Sequence, residues 1–158
     1  MKTFTDNRGE IWTLALTLGK TRKLREALGL DLLAPPNYLQ ILGSLTDRLA
    51  FVFLLVEDKA KEIGVDADAF EERLYGGDYA TNASIAFLEE TELFFQKLGQ
   101  DAMSNLAKRS IASMSLGQER VSEMMKTGQF DSALDAAEAA NSQSVTVRPV
   151  KSAKTRTP

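Results

Sequence analysis

The sequence predicts a mainly α-helical fold: an N-terminal β-hairpin packed on a compact bundle of about five to seven helices, followed by a flexible C-terminal tail. Three observations predict it. A polar turn, Asp6-Asn7-Arg8-Gly9, joins two short runs that read as strands; from Lys20 onward apolar residues recur three and four apart; and beyond Asn141 periodicity stops. At 158 residues the chain fits one domain, placed at residues 1–140 with the hairpin in 1–18 and a basic tail over 141–158.

The turn residues either accept positive φ or bond their own backbone, as a tight hairpin connection demands. Alternation puts Trp12, Leu14 and Leu16 on one side of the second strand and Ile11 and Thr13 on the other. A two-stranded hairpin is marginal alone in water, so its apolar face is expected to lean on later helices. From Lys20, Leu24, Ala27 and Leu28 mark the inner face of a short helix, with Lys20, Arg22, Lys23 and Arg25 outside and Gly29 as its stop. Pro35 and Pro36 predict a loop before a short helix from about Asn37 to Gly43, with Tyr38, Leu39, Ile41 and Leu42 inward.

The most apolar segment runs from Thr46 or Asp47 to Ile63, with Leu49, Val52, Phe53, Val56, Ala60 and Ile63 on one stripe and Phe51, Leu54 and Leu55 on the other side. Being apolar all round, its first half is expected at the centre of the core. Asp66 reads as an N-cap, with Val65 and Phe70 placed as a hydrophobic staple. Gly76 and Gly77 end that helix. Asp78 then opens a longer one carrying Ala80, Ala83, Phe87, Phe94 and Leu98 on one face, Ile85, Leu88 and Phe95 beside them, and Glu89, Glu90 and Glu92 on the solvent side. Gly99 is either a stop or an interior glycine; the pattern resumes with Met103, Leu106 and Ile111. Glu119 to Ala140 reads as two small helices about Thr127 and Gly128, where Gly128, Phe130, Ala133, Leu134 and Ala137 echo half of a tetratricopeptide unit.

Composition narrows function by exclusion. The chain has no cysteine and no histidine, which removes disulfides, thiolate nucleophiles, imidazole ligands and the commonest general base. Neither a glycine-rich phosphate loop nor a serine elbow is present, so the expectation is a non-enzyme without cofactor or metal. The longest apolar run, Leu49–Val56, falls short of a membrane span. Residues 2–25 carry six basic and two acidic side chains, 57–101 four basic and twelve acidic, and 145–158 four basic and none acidic. An acidic middle opposes wrapping of nucleic acid. Two features stand out as candidate partner-binding residues: the basic run Lys20, Arg22, Lys23 and Arg25, and the adjacent pair Phe94 and Phe95. The two rings point about 100° apart on a helix, so a narrow core stripe buries one more easily than both. The solvated surface and the broad apolar core are the respective bland readings.

The order of these elements resembles the tail assembly chaperones of long-tailed bacteriophages. The resemblance is carried by FTDNRGEIWTLALTLGKTRKLREALGLDLL, LAFVFLLVEDKAKEIGV and DADAFEERLYGGDYATNASIAFLEETELFF, and it covers Met1 to about Leu106. It implies a non-catalytic protein of the host cytoplasm, absent from the finished particle. Such a protein binds the tape-measure protein while tail-tube subunits polymerise, and acts as a homo-oligomer or as several copies along the client. The alternatives are a structural tail-completion or connector protein of the virion and a small nucleic-acid-binding regulator.

Overall fold

Strands β1 (Lys2–Thr5) and β2 (Ile11–Leu14) pair antiparallel, Phe4 opposite Trp12 and Thr3 opposite Thr13. The computed structural model describes residues 1–128 and, beyond them, 132, 135–137 and 139–140. After the hairpin come helices α1 (Leu18–Leu28), α2 (Pro35–Gly43), α3 (Leu45–Glu62), α4 (Ala67–Leu74), α5 (Tyr79–Lys97) and α6 (Asp101–Thr127), so the chain is mainly α with an N-terminal hairpin, as its periodicity predicts. The expected tail, 141–158, lies outside the described residues, as do Phe130, Ala133 and Leu134 of the tetratricopeptide echo. The chain divides inside α6 into two units, Met1–Ser115 and Leu116–Pro158.

Within the first unit the hairpin lies on α5, with α3 against β2. Trp12, Leu14 and Leu16 are buried while Ile11 is exposed, so the alternation holds. Phe70 of α4 wedges under the hairpin: its ring meets Trp12 edge-on at 5.1 Å, Phe4 at 6.3 Å and Phe53 of α3 at 5.4 Å. Phe51 and Phe87 join α3 to α5 at 5.8 Å, and Tyr38 and Phe95 join α2 to α5 at 5.0 Å. Each such side chain contributes about 1.5–3 kcal/mol through burial, and each well-placed ring pair roughly 0.5–1.5 kcal/mol more.

Helix ends follow local chemistry. Thr17, Ser44 and Asp66 each accept from a backbone N–H three residues on, capping α1, α3 and α4. Gly99, at φ +68°, ends α5: its N–H donates to Gln96 and that of Gln100 to Phe95, a Schellman arrangement only an αL residue permits. Gly99 is therefore a stop.

Several expectations need correction. Pro35 and Pro36 are not loop but the first two residues of α2, where a missing N–H costs nothing. Leu39 on α2 is exposed. In α3 the buried stripe is Arg48, Phe51, Val52, Leu55, Val56 and Ala60; Leu49, Phe53 and Leu54 are half-buried and Ile63 is exposed, because an all-apolar segment leaves its rotation to its neighbours. Glu90 does not face solvent: it is buried on the α5 face that holds Phe87 and Phe94. Leu98, expected on that face, is largely exposed just past the helix end. Finally, α6 runs unbroken through Gly117 to Thr127 where a new helix was expected near Glu119. In the second unit, Leu116 and Val121 of this helix are exposed.

Candidate partner-binding face

Helix α1 sets the position of the basic run. Leu24 and Thr21 are buried, and the 100° step of the helix sends Lys20, Lys23 and Ala27 to one flank and Arg22 and Arg25 to the other. The four cations therefore do not form one patch. Lys20 is half-buried and its Nζ donates to the Leu55 carbonyl of α3 at 2.9 Å. Arg25 reaches Asp31 at 3.5 Å. Among the described residues, Arg22 and Lys23 make no ion pair or side-chain hydrogen bond.

Between α1 and α3 lies a groove of about 200 Å³, lined by Lys20, Lys23, Leu24, Ala27, Leu54, Leu55, Glu57 and Asp58. Leu24, Leu54 and Leu55 line its bottom with Ala27 at the rim; Lys20 reaches from α1 across to the Leu55 carbonyl, Lys23 stands on the α1 side, and on the α3 side Glu57 pairs with Lys61 beside Asp58. A cavity of roughly 150 Å³ accepts a benzene-sized group, so the groove takes one large apolar side chain of a partner. A second groove, lined by Leu18, Thr21, Arg22, Arg25, Asp31 and Leu33, opens on the opposite flank with a volume of about 250 Å³.

Phe94 and Phe95 are both buried, at 7% and 0% exposure, with their rings 5.5 Å apart and Tyr38 packed on Phe95. Neither presents a surface, because the buried face of α5 is broad enough to hold both.

Three buried polar groups that sequence reasoning missed position these elements. Asp6 accepts from the N–H groups of Arg8 and Glu10, each at 2.9 Å, from the Trp12 indole at 3.1 Å and from Arg73 of α4 at 3.4 Å. Burial alone raises its carboxyl, but the hydrogen bonds from Glu10, Trp12, Arg8 and Arg73 outweigh it and hold the group below its ordinary 3.8. Glu90 accepts the Leu16 N–H at 3.0 Å, and its other oxygen lies 3.2 Å from the Met1 ammonium, an ionic contact without hydrogen-bond geometry. Arg48 donates from Nε to Ser84 at 2.6 Å and from Nη1 to the carbonyls of Ile41 and Leu42, so it caps the C-terminus of α2 from α3. Desolvation lowers its pKa, and among the described residues no carboxylate pairs with it. The signal for Arg48 and Glu90 was present: each lies three residues from one core aromatic and four from the next core side chain, at helical spacing.

Among the described residues no three acidic side chains gather closely enough to hold a metal ion. Among the described residues no single helix is long and apolar enough to cross a membrane; α2 and α3 together pass on length and composition but bend by 104°. Fold and groove together define a helical scaffold with a side-chain-sized, charge-flanked slot. No family model, curated protein or solved structure matches the chain.

Proposed function

We propose that this chain is a non-catalytic tail assembly chaperone of a long-tailed bacteriophage, acting in the host cytoplasm on the tape-measure protein. Two things support the reading: the order of the segments Phe4–Leu33, Leu49–Val65 and Asp66–Phe95, and the α1–α3 groove. The groove carries it. An apolar slot of Leu24, Leu54 and Leu55 with Ala27 at its rim, between Lys23 on α1 and the carboxylates Glu57 and Asp58 on α3, suits one anchor residue of an amphipathic helix whose flanks bear opposite charges. A long helical client offers many such turns, and one slot covers little of it, so several copies bind along its length. Separation of the four cations on α1 into two flanks, with Lys20 and Arg25 already engaged, disfavours the nucleic-acid reading.

Co-expression with the tape-measure protein encoded nearby tests the proposal. The expected result is a client that stays soluble and co-purifies; unchanged client solubility with no co-purification rejects it. Mass spectrometry of purified virions separates the chaperone, which is missing from the particle, from a structural component present at fixed stoichiometry.

A further inference from the structure

The two edges of the hairpin are treated differently. The Asp6 N–H donates to the Glu10 carbonyl at 3.0 Å, so the antiparallel alternation makes Phe4–Trp12 and Lys2–Leu14 the hydrogen-bonded pairs. The main-chain groups of Ile11 and Thr13 then face the outer edge of β2, and those of Thr3 and Thr5 the outer edge of β1. On β2 that edge is guarded: Lys59 Nζ donates to the Ile11 carbonyl, pairs with Glu10 at 2.5 Å and lies 5.5 Å over the Trp12 ring. Lysine over an edge strand is a common protection against further pairing.

On β1 the lysine, Lys2, is drawn onto Glu89 of α5, and among the described residues no cation bonds the outward carbonyls. Thr3 and Thr5 are exposed, and among the described residues no hydrogen bond from outside the hairpin reaches their outward N–H and C=O groups. Alongside them runs a groove of about 360 Å³, walled by α5 through Tyr79, Asn82, Ile85 and Glu89. The Glu89 carboxylate, 3.1 Å from Lys2 Nζ, is the one formal charge in the groove lining.

We propose that the outer edge of β1 is a docking site for an extended segment of a partner chain, which adds as a third strand beside Thr3 and Thr5. Its small, uncharged side chains rest on the α5 wall, where Lys2 already neutralises Glu89. The main-chain pattern calls for an extended backbone, since no helix offers alternating donors and acceptors at strand spacing. With Glu89 paired to Lys2, the groove lining carries no free charge and selects uncharged side chains. A second copy of this chain does not fit through its own β1: strands pair about 4.8 Å apart, whereas packed helices need roughly 8–10 Å between axes. Because α5 packs chiefly beneath β1 and walls its outer side, two such helices would collide. A lone strand needs only the groove.

The test is a titration of the full chain, followed by NMR, with a short synthetic peptide of alternating valine and threonine. A control peptide has the same side chains but is N-methylated at alternate residues, which removes donors while keeping shape. The expected result is saturable shifts of the Thr3 and Thr5 amides with the first peptide and at least about tenfold weaker binding of the second. Thr5→Pro removes one outward N–H while leaving the β1–β2 bonds in place, and is expected to weaken the first peptide to a similar extent. Absence of saturable shifts at Thr3 and Thr5, or equal binding of both peptides, overturns the proposal. So does protection of those amides that rises with protein concentration alone, which would show the edge filled by a second copy.

Discussion

At the residue scale, a few buried polar atoms fix the hairpin, α2 and α4 in place among the rings that form the core. Asp6 accepts from four donors belonging to the turn, β2 and α4. Asparagine in its place offers one acceptor oxygen and sets an NH₂ against donors, so Asp6→Asn is expected to destabilise by about 2–4 kcal/mol in urea unfolding. Because the folded carboxyl lies below 3.8, its contribution is complete above that value and is lost as pH falls through the lower folded one. The variant lacks this acid-side loss. Tyr38 is the opposite case. Its hydroxyl is buried without a hydrogen-bond partner among the described residues, and burial, opposed by Thr91 and aided by Glu92, pushes the phenol up to about 12. Removing an unsatisfied group is close to neutral, so Tyr38→Phe is expected within about 1 kcal/mol of the parent, on the stabilising side. The unfolded phenol ionises near 10, so the parent alone loses stability from this group between pH 10 and about 12. Unfolding curves of the pair across that range read the difference directly.

At the scale of elements, what the sequence made legible was whatever local chemistry decides. The hairpin turn, the Asp66 cap and the glycine stop at Gly29 stand where their residues place them. Rotation about a helix axis was legible only where polar residues mark one side. On α1 charged residues mark the outside, and Leu24 is buried as the pattern predicts while Ala27 is exposed and Leu28 half-buried; the first half of α3 is apolar nearly all round, and its buried stripe keeps Val52, Val56 and Ala60 but takes Phe51 and Leu55 in place of Leu49, Phe53 and Ile63. Glu90 and Arg48 were read as solvent-facing or passed over because charge suggests exposure, yet each is paired through groups distant in sequence, Leu16 and Ser84. Glycines show the same divide. Gly99 sits at φ +68° with open space around its Cα, so Gly99→Ala is expected to cost about 1–2 kcal/mol through backbone strain alone. Gly117 lies inside α6 at negative φ with nothing near a Cβ, so alanine there is expected to raise helical stability by roughly 0.5–1 kcal/mol. Thermal unfolding of the two variants should thus move in opposite directions.

At the scale of the molecule, two surfaces of different kind meet partners on this account. The α1–α3 groove was half legible: Lys20 and Lys23 stood out in the sequence, but their partners Leu54, Leu55, Glu57 and Asp58 belong to another helix whose rotation the sequence left open. The open edge of β1 was not legible, since strand pairing tells which residues alternate and not which edge the helices leave bare. Phe94 and Phe95, by contrast, serve the core. The central claim is that the groove holds a side chain of the tape-measure protein, and Ala27 tests it most directly. It is exposed on α1, lines the groove and stands at a position where glutamate keeps the helix intact. Ala27→Glu puts a charge at the rim of the apolar slot, where a bound side chain would cover it, so co-purification of the client is expected to fall at least about tenfold while circular dichroism and thermal midpoint stay those of the parent. A variant that retains the client as well as the parent does would contradict the account.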